Sequence, residues 1–111
     1  MIDAPVSGGI EGAVAGTLTA LVGGSPEHAR QANRLLKAFS DTIIYIGPLG
    51  DGTVAKLMNN LATFALDQVI SECLTIGVKA GIEPGCLLEA LQQSAIGKGG
   101  NLHGRIPDTF M

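Results

Sequence analysis

The sequence predicts an α/β layer followed by an all-α part, with the change of character at residues 47–52. Three observations carry this expectation. Up to Ile46 the chain reads as strand, short helix, strand, helix, strand, the layout of a sheet covered by helices. Gly47-Pro48-Leu49-Gly50-Asp51-Gly52 then interrupts every periodicity. From Thr53 to Ala80 there is no proline and a single glycine, Gly77. That leaves room for a helix of about 28 residues, roughly 42 Å long. The expected units are residues 1–51 and 52–111.

Met1 to Val6 reads as a short strand, broken by Ser7-Gly8-Gly9 after Pro5 has fixed its own φ. Ile10 to Ala15 suits a helical turn or two, closed by Gly16. Thr17 to Val22 begins with period-2 alternation and is a strand by pattern, with Gly23-Gly24 expected to turn the chain. Ser25-Pro26-Glu27 has the marks of a helix start: serine at the N-cap, proline in the first position, an acid in the first turn. Ala29, Ala32, Leu35, Leu36 and Phe39 form the apolar face of that helix, which Ser40-Asp41 is expected to end. Thr42 to Ile46 is a β-branched run and is expected to be a buried strand, stopped by Gly47-Pro48. Gly81 suits the position just past the long helix. Pro84 suits the first turn of another helix, running to about Ala95. Residues 96–111 predict no regular element.

Composition narrows the function classes. The 111 residues are 46% hydrophobic with a net charge of −3, which fits one soluble globular domain and a cytoplasmic protein. One tyrosine, three phenylalanines and no tryptophan, without a basic patch, exclude a nucleic-acid binder. Lys56, Asp67, Glu72 and Lys79 interrupt the long helix and argue against a membrane span. Cys73 and Cys86 fall in apolar helical patterns and are expected as reduced core thiols.

The long helix carries the candidate chemistry. Lys56, Asn60, Thr63 and Asp67 are spaced four, three and four residues apart, which stacks them on one face. Most of the remaining surface is apolar, so the helix is expected to be buried on most sides, its polar stripe facing water or a polar cavity. Lys56 stands near the helix start, where free N–H groups and the dipole disfavour a cation. A lysine so placed can exchange a proton as a general acid does; a solvated surface lysine is the plain alternative.

The glycine segments invite a phosphate-binding reading. The run 47–52 has GxxGxG spacing, not GxGxxG, and Thr53 occupies the place of a P-loop lysine, so both standard nucleotide assignments fail. Ser7-Gly8-Gly9 could present backbone N–H groups and a hydroxyl to a carboxylate, or be an ordinary tight turn. His28, in a helix's first turn, and His103 have no triad or metal-site neighbours. Glu11, Asp51 and Asp67 have no partner at a telling spacing.

Two segments together resemble the β-hydroxyacid dehydrogenase family. Asp3-Ala4-Pro5-Val6-Ser7-Gly8-Gly9, continuing through Gly12-Ala13 and Gly16-Thr17-Leu18, is similar to its substrate-binding segment. Gly50-x-Gly52-x-x-x-Lys56-x-x-x-Asn60 is similar to its catalytic segment. Both occur in order with family-like separation, and the resemblance runs from Asp3 to about Ala95. It implies the C-terminal part of a Rossmann-type NAD(P)-binding domain in residues 1–51. Residues 52–111 would then be a long interdomain helix and the start of an all-helical domain. It implies hydride transfer between NAD or NADP and the β-hydroxyl carbon of a small, 3-hydroxyisobutyrate-like hydroxy acid, or the corresponding semialdehyde. Lys56 would carry the proton, Asn60 would hold substrate and lysine, and Ser7, Gly8 and Gly9 would receive the substrate carboxylate.

The family's G-x-G-x-x-G fingerprint has no counterpart in these residues, so the isolated chain is expected to be inactive. Three strands with one or two helices cannot cover both faces of a sheet, and the long helix has more apolar surface than one short helix can bury. A piece of a larger protein or a homo-oligomer is therefore expected. A non-enzymatic helical interaction module is the alternative.

Overall fold

The computed structural model describes residues 1–100, 102, 103 and 106 of the chain. In chain order the elements are β1 (Ile2–Asp3), β2 (Val6–Ser7), α1 (Gly9–Ala15), β3 (Leu18–Gly24), α2 (Pro26–Leu36), β4 (Ser40–Gly47), α3 (Asp51–Lys79) and α4 (Pro84–Gln93). Two compact units divide them, Met1–Phe64 and Ala65–Met111.

In the first unit β3 is the central strand. Its one edge pairs in parallel with β4; its other edge pairs antiparallel with β1 and then β2. Ile2 lies opposite Gly24, Asp3 opposite Gly23, Val6 opposite Ala20 and Ser7 opposite Thr19, a single unbroken register. Leu21 N–H still donates to the Pro5 carbonyl at 2.9 Å, but Pro5 has no N–H to return. The one strand expected over residues 1–6 is therefore two short segments of the same ladder.

Alternation along these strands sets the core. Ile2, Ala4 and Val6 pack beside Ala20, Val22 and Leu36, with Ala29 and Ala32 of α2 and Ile43 of β4. By the two-residue period, Asp3, Pro5 and Ser7 belong to the opposite face of the sheet. Ser25 caps α2, its hydroxyl accepting from His28 N–H at 3.3 Å, with Pro26 in the first turn as the sequence predicts. Gly16 closes α1 in the left-handed conformation, also as expected.

Three expectations for this unit change. Gly23 and Gly24 do not turn the chain; they extend β3, held in the ladder by β1. Helix α2 stops at Leu36 in tight turns, where Ala38 and Phe39 donate to Leu35 and Leu36, and Ser40-Asp41 opens β4 instead. Strand β4 is not buried: Ile44, Tyr45 and Ile46 are exposed. Among the described residues β4 has a neighbour strand on one edge only.

The second unit holds the rest of α3 and α4. Gly77, lacking a side chain, lets Leu87 of α4 lie directly against α3. Gly81 takes a positive φ, and Ile82 N–H returns to the Gly77 carbonyl at 3.1 Å, ending α3 where the sequence indicates. Glu83, not singled out from the sequence, caps α4: its carboxylate accepts from Gly85 N–H at 2.9 Å and Cys86 N–H at 2.8 Å. Those bonds hold the Glu83 carboxyl below its ordinary range. Helix α4 ends at Gln93, two residues short of the expected Ala95. Residues 94–100 form hydrogen-bonded turns, Leu102 and His103 N–H donate to the Gly99 carbonyl at 3.0 and 3.1 Å, and Gly104 and Pro107 of the expected loop lie outside the described residues. Ile70, Leu88, Leu91 and Ile96 line an apolar cavity of about 100 Å³.

Cys73 and Cys86 are free thiols but exposed, not core residues, because α3 and α4 have few neighbours to cover them. For the same reason α3 is not buried on most sides; Leu57, Leu61, Phe64 and Leu66 are exposed. Helix α3 is long and apolar enough to cross a membrane by length and composition, which its charges were expected to exclude. The core helix of a larger protein meets the same criterion.

Candidate functional site

The N-terminus of α3 is held by a side chain from the start of the chain. Asp3, half-buried on the sheet face away from α2, reaches it with both carboxylate oxygens. Oδ1 accepts from Gly50 N–H at 2.7 Å; Oδ2 accepts from Thr53 N–H at 2.6 Å and from the Thr53 hydroxyl at 2.9 Å. The Gly50 N–H, joined by the Thr53 hydroxyl and N–H, holds the Asp3 carboxyl below its ordinary range, with desolvation pulling the other way. An anion at a helix N-terminus also answers the dipole and the orphan N–H groups there.

Two glycines allow this approach. A Cβ on Gly52 would run into the Leu21 carbonyl oxygen and stand 2.9 Å from Gly23 N, while a Cβ on Gly23 would stand 2.8 Å from Gly52 N and 2.7 Å from the Pro48 carbonyl. The backbones of β3 and α3 therefore touch, which is what Gly52 is for in this unit. Since Gly50 and Thr53 amides are bound to Asp3, the start of α3 does not fit a nucleotide phosphate, in agreement with the failed fingerprint spacing.

Lys56 and Asn60 continue the face begun by Gly52. The three residues are four apart, so they stack along α3, about 6 Å between neighbours. Gly52 is buried and Lys56 and Asn60 are half-buried, while Leu57, Met58 and Asn59 between them are exposed. The expected stripe thus divides: Lys56 and Asn60 are sheltered, but Thr63 and Asp67 are exposed. Helix α3 begins at Asp51, two residues earlier than expected, so Lys56 lies in its second turn and Asp3 already answers the positive end.

Ser7 ends β2 on the same sheet face as Asp3, four residues or about 13 Å along the strand. Gly8 and Gly9 follow with φ of 132° and 63°, lifting the chain out of the sheet into α1. Both are exposed, and among the described residues the space beside Gly9 is open. The hydrogen bonds joining the two segments come from Asp3, which the sequence marks only as the first residue of the Asp3–Gly9 segment. The signal for it was present, an acid placed on the alternate phase from Ile2, Ala4 and Val6.

A cavity of about 300 Å³ lined by Val22, Ala29, Arg30, Asn33, Ile43 and Tyr45 lies on the opposite, α2 side of the sheet. It includes none of the candidate residues. His28 is engaged with the Ser25 hydroxyl at 2.9 Å, and among the described residues no three His, Cys, Asp or Glu side chains gather as a metal site.

Residues 1–47, up to the end of β4, match the NAD binding domain of 6-phosphogluconate dehydrogenase. A 3-hydroxyisobutyrate dehydrogenase of Pseudomonas aeruginosa is 43% identical over 101 residues, covering 91% of this chain and 33% of that protein. Over this segment the chain resembles the β-hydroxyacid dehydrogenase family. A second member from the same bacterium, NAD-dependent L-serine dehydrogenase, is 44% identical over 101 residues, 91% of this chain and 33% of its own. The solved structure of a Mycobacterium tuberculosis family member, 3-hydroxyisobutyrate dehydrogenase with L-serine, matches with a TM-score of 0.78 at 34% identity. It covers 86% of this chain and 33% of that one. The small sheet with its helices is thus of the family's Rossmann type. The chain spans about a third of the length of the family members it matches.

Proposed function

We propose that this chain is the substrate-and-lysine segment of an NAD- or NADP-dependent 3-hydroxyacid dehydrogenase. The observation that carries the reading is the sheltered Lys56–Asn60 pair on the face of α3 whose start is clasped to the sheet. In this reading residues 1–51 are the C-terminal part of the nucleotide domain, and the family match ending at residue 47 supports that boundary. Residues 52–111 are the interdomain helix and the start of a helical domain.

The names of the relatives narrow the substrate. Both 3-hydroxyisobutyrate and L-serine carry a hydroxymethyl group on the carbon beside a carboxylate. A site for both needs an anion receptor and a proton carrier at a set separation, and little else in common. The turn at Ser7, Gly8 and Gly9, with Gly8 and Gly9 exposed and the space beside Gly9 open, suits the carboxylate. Lys56 Nζ takes the hydroxyl proton as the β-carbon is oxidised, and returns it to the forming alkoxide in the reverse direction. Asn60, one turn on, holds the hydroxyl and the lysine in register. When bound, the nicotinamide supplies the other half of the reaction, accepting or donating the hydride. Turnover in this reading requires polypeptide carrying the dinucleotide fingerprint, so the chain alone is inactive.

A cytoplasmic location is supported by the two exposed, unpaired thiols. Self-association into a homo-oligomer is supported by the exposed Leu57, Leu61 and Phe64. The test is nucleotide-linked turnover of 3-hydroxyisobutyrate and L-serine by a polypeptide of the relatives' length carrying this segment, with and without Lys56→Met. Turnover of either acid that disappears in the variant is expected. Parental turnover in the variant would end the reading.

A further inference from the structure

We propose that Asp3 is the positioning residue for Lys56, setting the depth and rotation of α3 on the sheet. The inference rests on the reading of Lys56 as proton carrier and goes beyond it.

Three features make Asp3 a locating device. It is anchored in the ladder opposite Gly23, so its own place is set by the sheet. Its two oxygens take donors three residues apart, Gly50 on Oδ1 and Thr53 on Oδ2, so the carboxylate grips the start of the helix at two points separated along its axis. One such bond would leave α3 free to swivel; two resist rotation. The close passage of Gly23 and Gly52 limits how far the helix can advance. Lys56 follows Thr53 by three residues of continuous helix, a rise of about 4.5 Å. Any slide or turn at Thr53 therefore reaches Lys56 almost undiminished.

Asparagine at position 3 preserves size but offers one acceptor oxygen where two are used, and turns an amide N–H₂ toward a donor. Misplacement of a catalytic group by about 1 Å can cost about 10²-fold in rate. The experiment compares Asp3→Asn, Asp3→Glu, Thr53→Val and Lys56→Met. Amide exchange at Gly50 and Thr53 is read in the chain itself. Steady-state rates and nucleotide affinity are read in a polypeptide of the relatives' length, normalised to folded protein.

In Asp3→Asn, exchange at whichever of the two amides is left facing the amide nitrogen should rise about tenfold, as loss of one good hydrogen bond gives. The rate constant kcat should fall about 10²-fold, with nucleotide affinity within about twofold of the parent. Asp3→Glu, retaining a carboxylate, should recover part of kcat, and Thr53→Val should lose a smaller share than Asp3→Asn. A clasp that only stabilises the fold would lower the folded fraction and leave kcat per folded molecule unchanged; that result overturns the inference. So does unaltered exchange at Gly50 and Thr53. If Asp3→Asn does not fold, Asp3→Glu and Thr53→Val are judged by the same criterion, and parental kcat in both overturns it. Loss of turnover in Lys56→Met with parental kcat in Asp3→Asn refutes only the role of Asp3. Parental turnover in Lys56→Met refutes the proposed function instead.

Discussion

Replacing Gly52 with alanine sets two effects against each other. Gly52 is the second residue of α3, and alanine is favoured over glycine in a helix by at most about 1 kcal/mol. Against this, the new Cβ would meet the Leu21 carbonyl oxygen and stand 2.9 Å from Gly23 N and from Asp3 Oδ2. Comfortable contacts begin near about 3.5 Å, so the helix must retreat by roughly 0.5–1 Å. Two of the three obstacles are backbone atoms of β3, which cannot swing aside. Such overpacking costs about 1–3 kcal/mol, and the retreat also stretches the Asp3 bonds. The net expectation is a loss of about 1–2 kcal/mol. For a unit of this size that lowers the melting temperature by roughly 4–8 °C per kcal/mol.

Tyr45, the single tyrosine in a chain without tryptophan, hydrogen-bonds the Gly24 carbonyl at 3.0 Å and reports melting of this unit. Gly85 supplies the control. It is also the second residue of its helix, but its Cβ would meet only the Glu83 carboxylate, 3.0 Å away and able to move. Gly85→Ala, followed by circular dichroism, should change stability by no more than about 0.5 kcal/mol. A Gly52→Ala chain that melts at or above the parent would refute the close contact between β3 and α3.

Lys56→Met should lower kcat by about 10²–10⁴-fold in a turnover-competent polypeptide with nucleotide affinity retained, and Asn60→Ala should act in the same direction but less severely. Asp3 and Glu83, both held below the ordinary carboxylate range, contribute stability that is complete above the unfolded range of about 3.9–4.3 and is lost as pH falls through their lower folded values. An acid titration followed by circular dichroism should therefore lose less below pH ~4 in Asp3→Asn or Glu83→Gln than in the parent, and equal losses would refute that linkage. The chain itself should self-associate at micromolar concentration, because Leu57, Leu61 and Phe64 are 56%, 64% and 68% exposed and each gains about 1.5–3 kcal/mol on full burial. Sedimentation showing one sharp monomer would contradict this.

Local chemistry was legible wherever the deciding neighbours were close in sequence. Ser25-Pro26 started α2, Gly16 and Gly81 closed their helices, and the period of Lys56 and Asn60 survived because a helix face is a local property. The misreadings share a cause. Gly23-Gly24 has the chemistry of a turn, yet pairing with Ile2 and Asp3 keeps it in the strand. Thr42 to Ile46 has the chemistry of a buried strand, but burial depends on what lies on its faces and edge. Cys73 and Cys86 show the same limit, since an apolar pattern states a preference for cover without supplying it. The division of the polar stripe, with Lys56 and Asn60 sheltered and Thr63 and Asp67 exposed, follows from where α3 meets the sheet, which helical spacing does not encode.

The start of α3 shows how a correct local inference can be assigned the wrong occupant. A glycine-rich turn opening a helix offers N–H groups to an anion, and the sequence suggested such a site while its spacing failed for a nucleotide. The anion is Asp3, some 50 residues away in the chain and brought there by β1 pairing with the far end of β3. A phosphate at this position would have to displace a carboxylate already holding three hydrogen bonds, and would find Gly23 and Gly52 backbone where it needs space. The glycines serve contact between strand and helix, and the helix start serves as an anchor. That assignment leaves Lys56, one turn beyond the anchor, as the nearest cation on the sheltered face. It also makes the acid at position 3 and the lysine at position 56 parts of one device, the first locating the helix and the second presented by it.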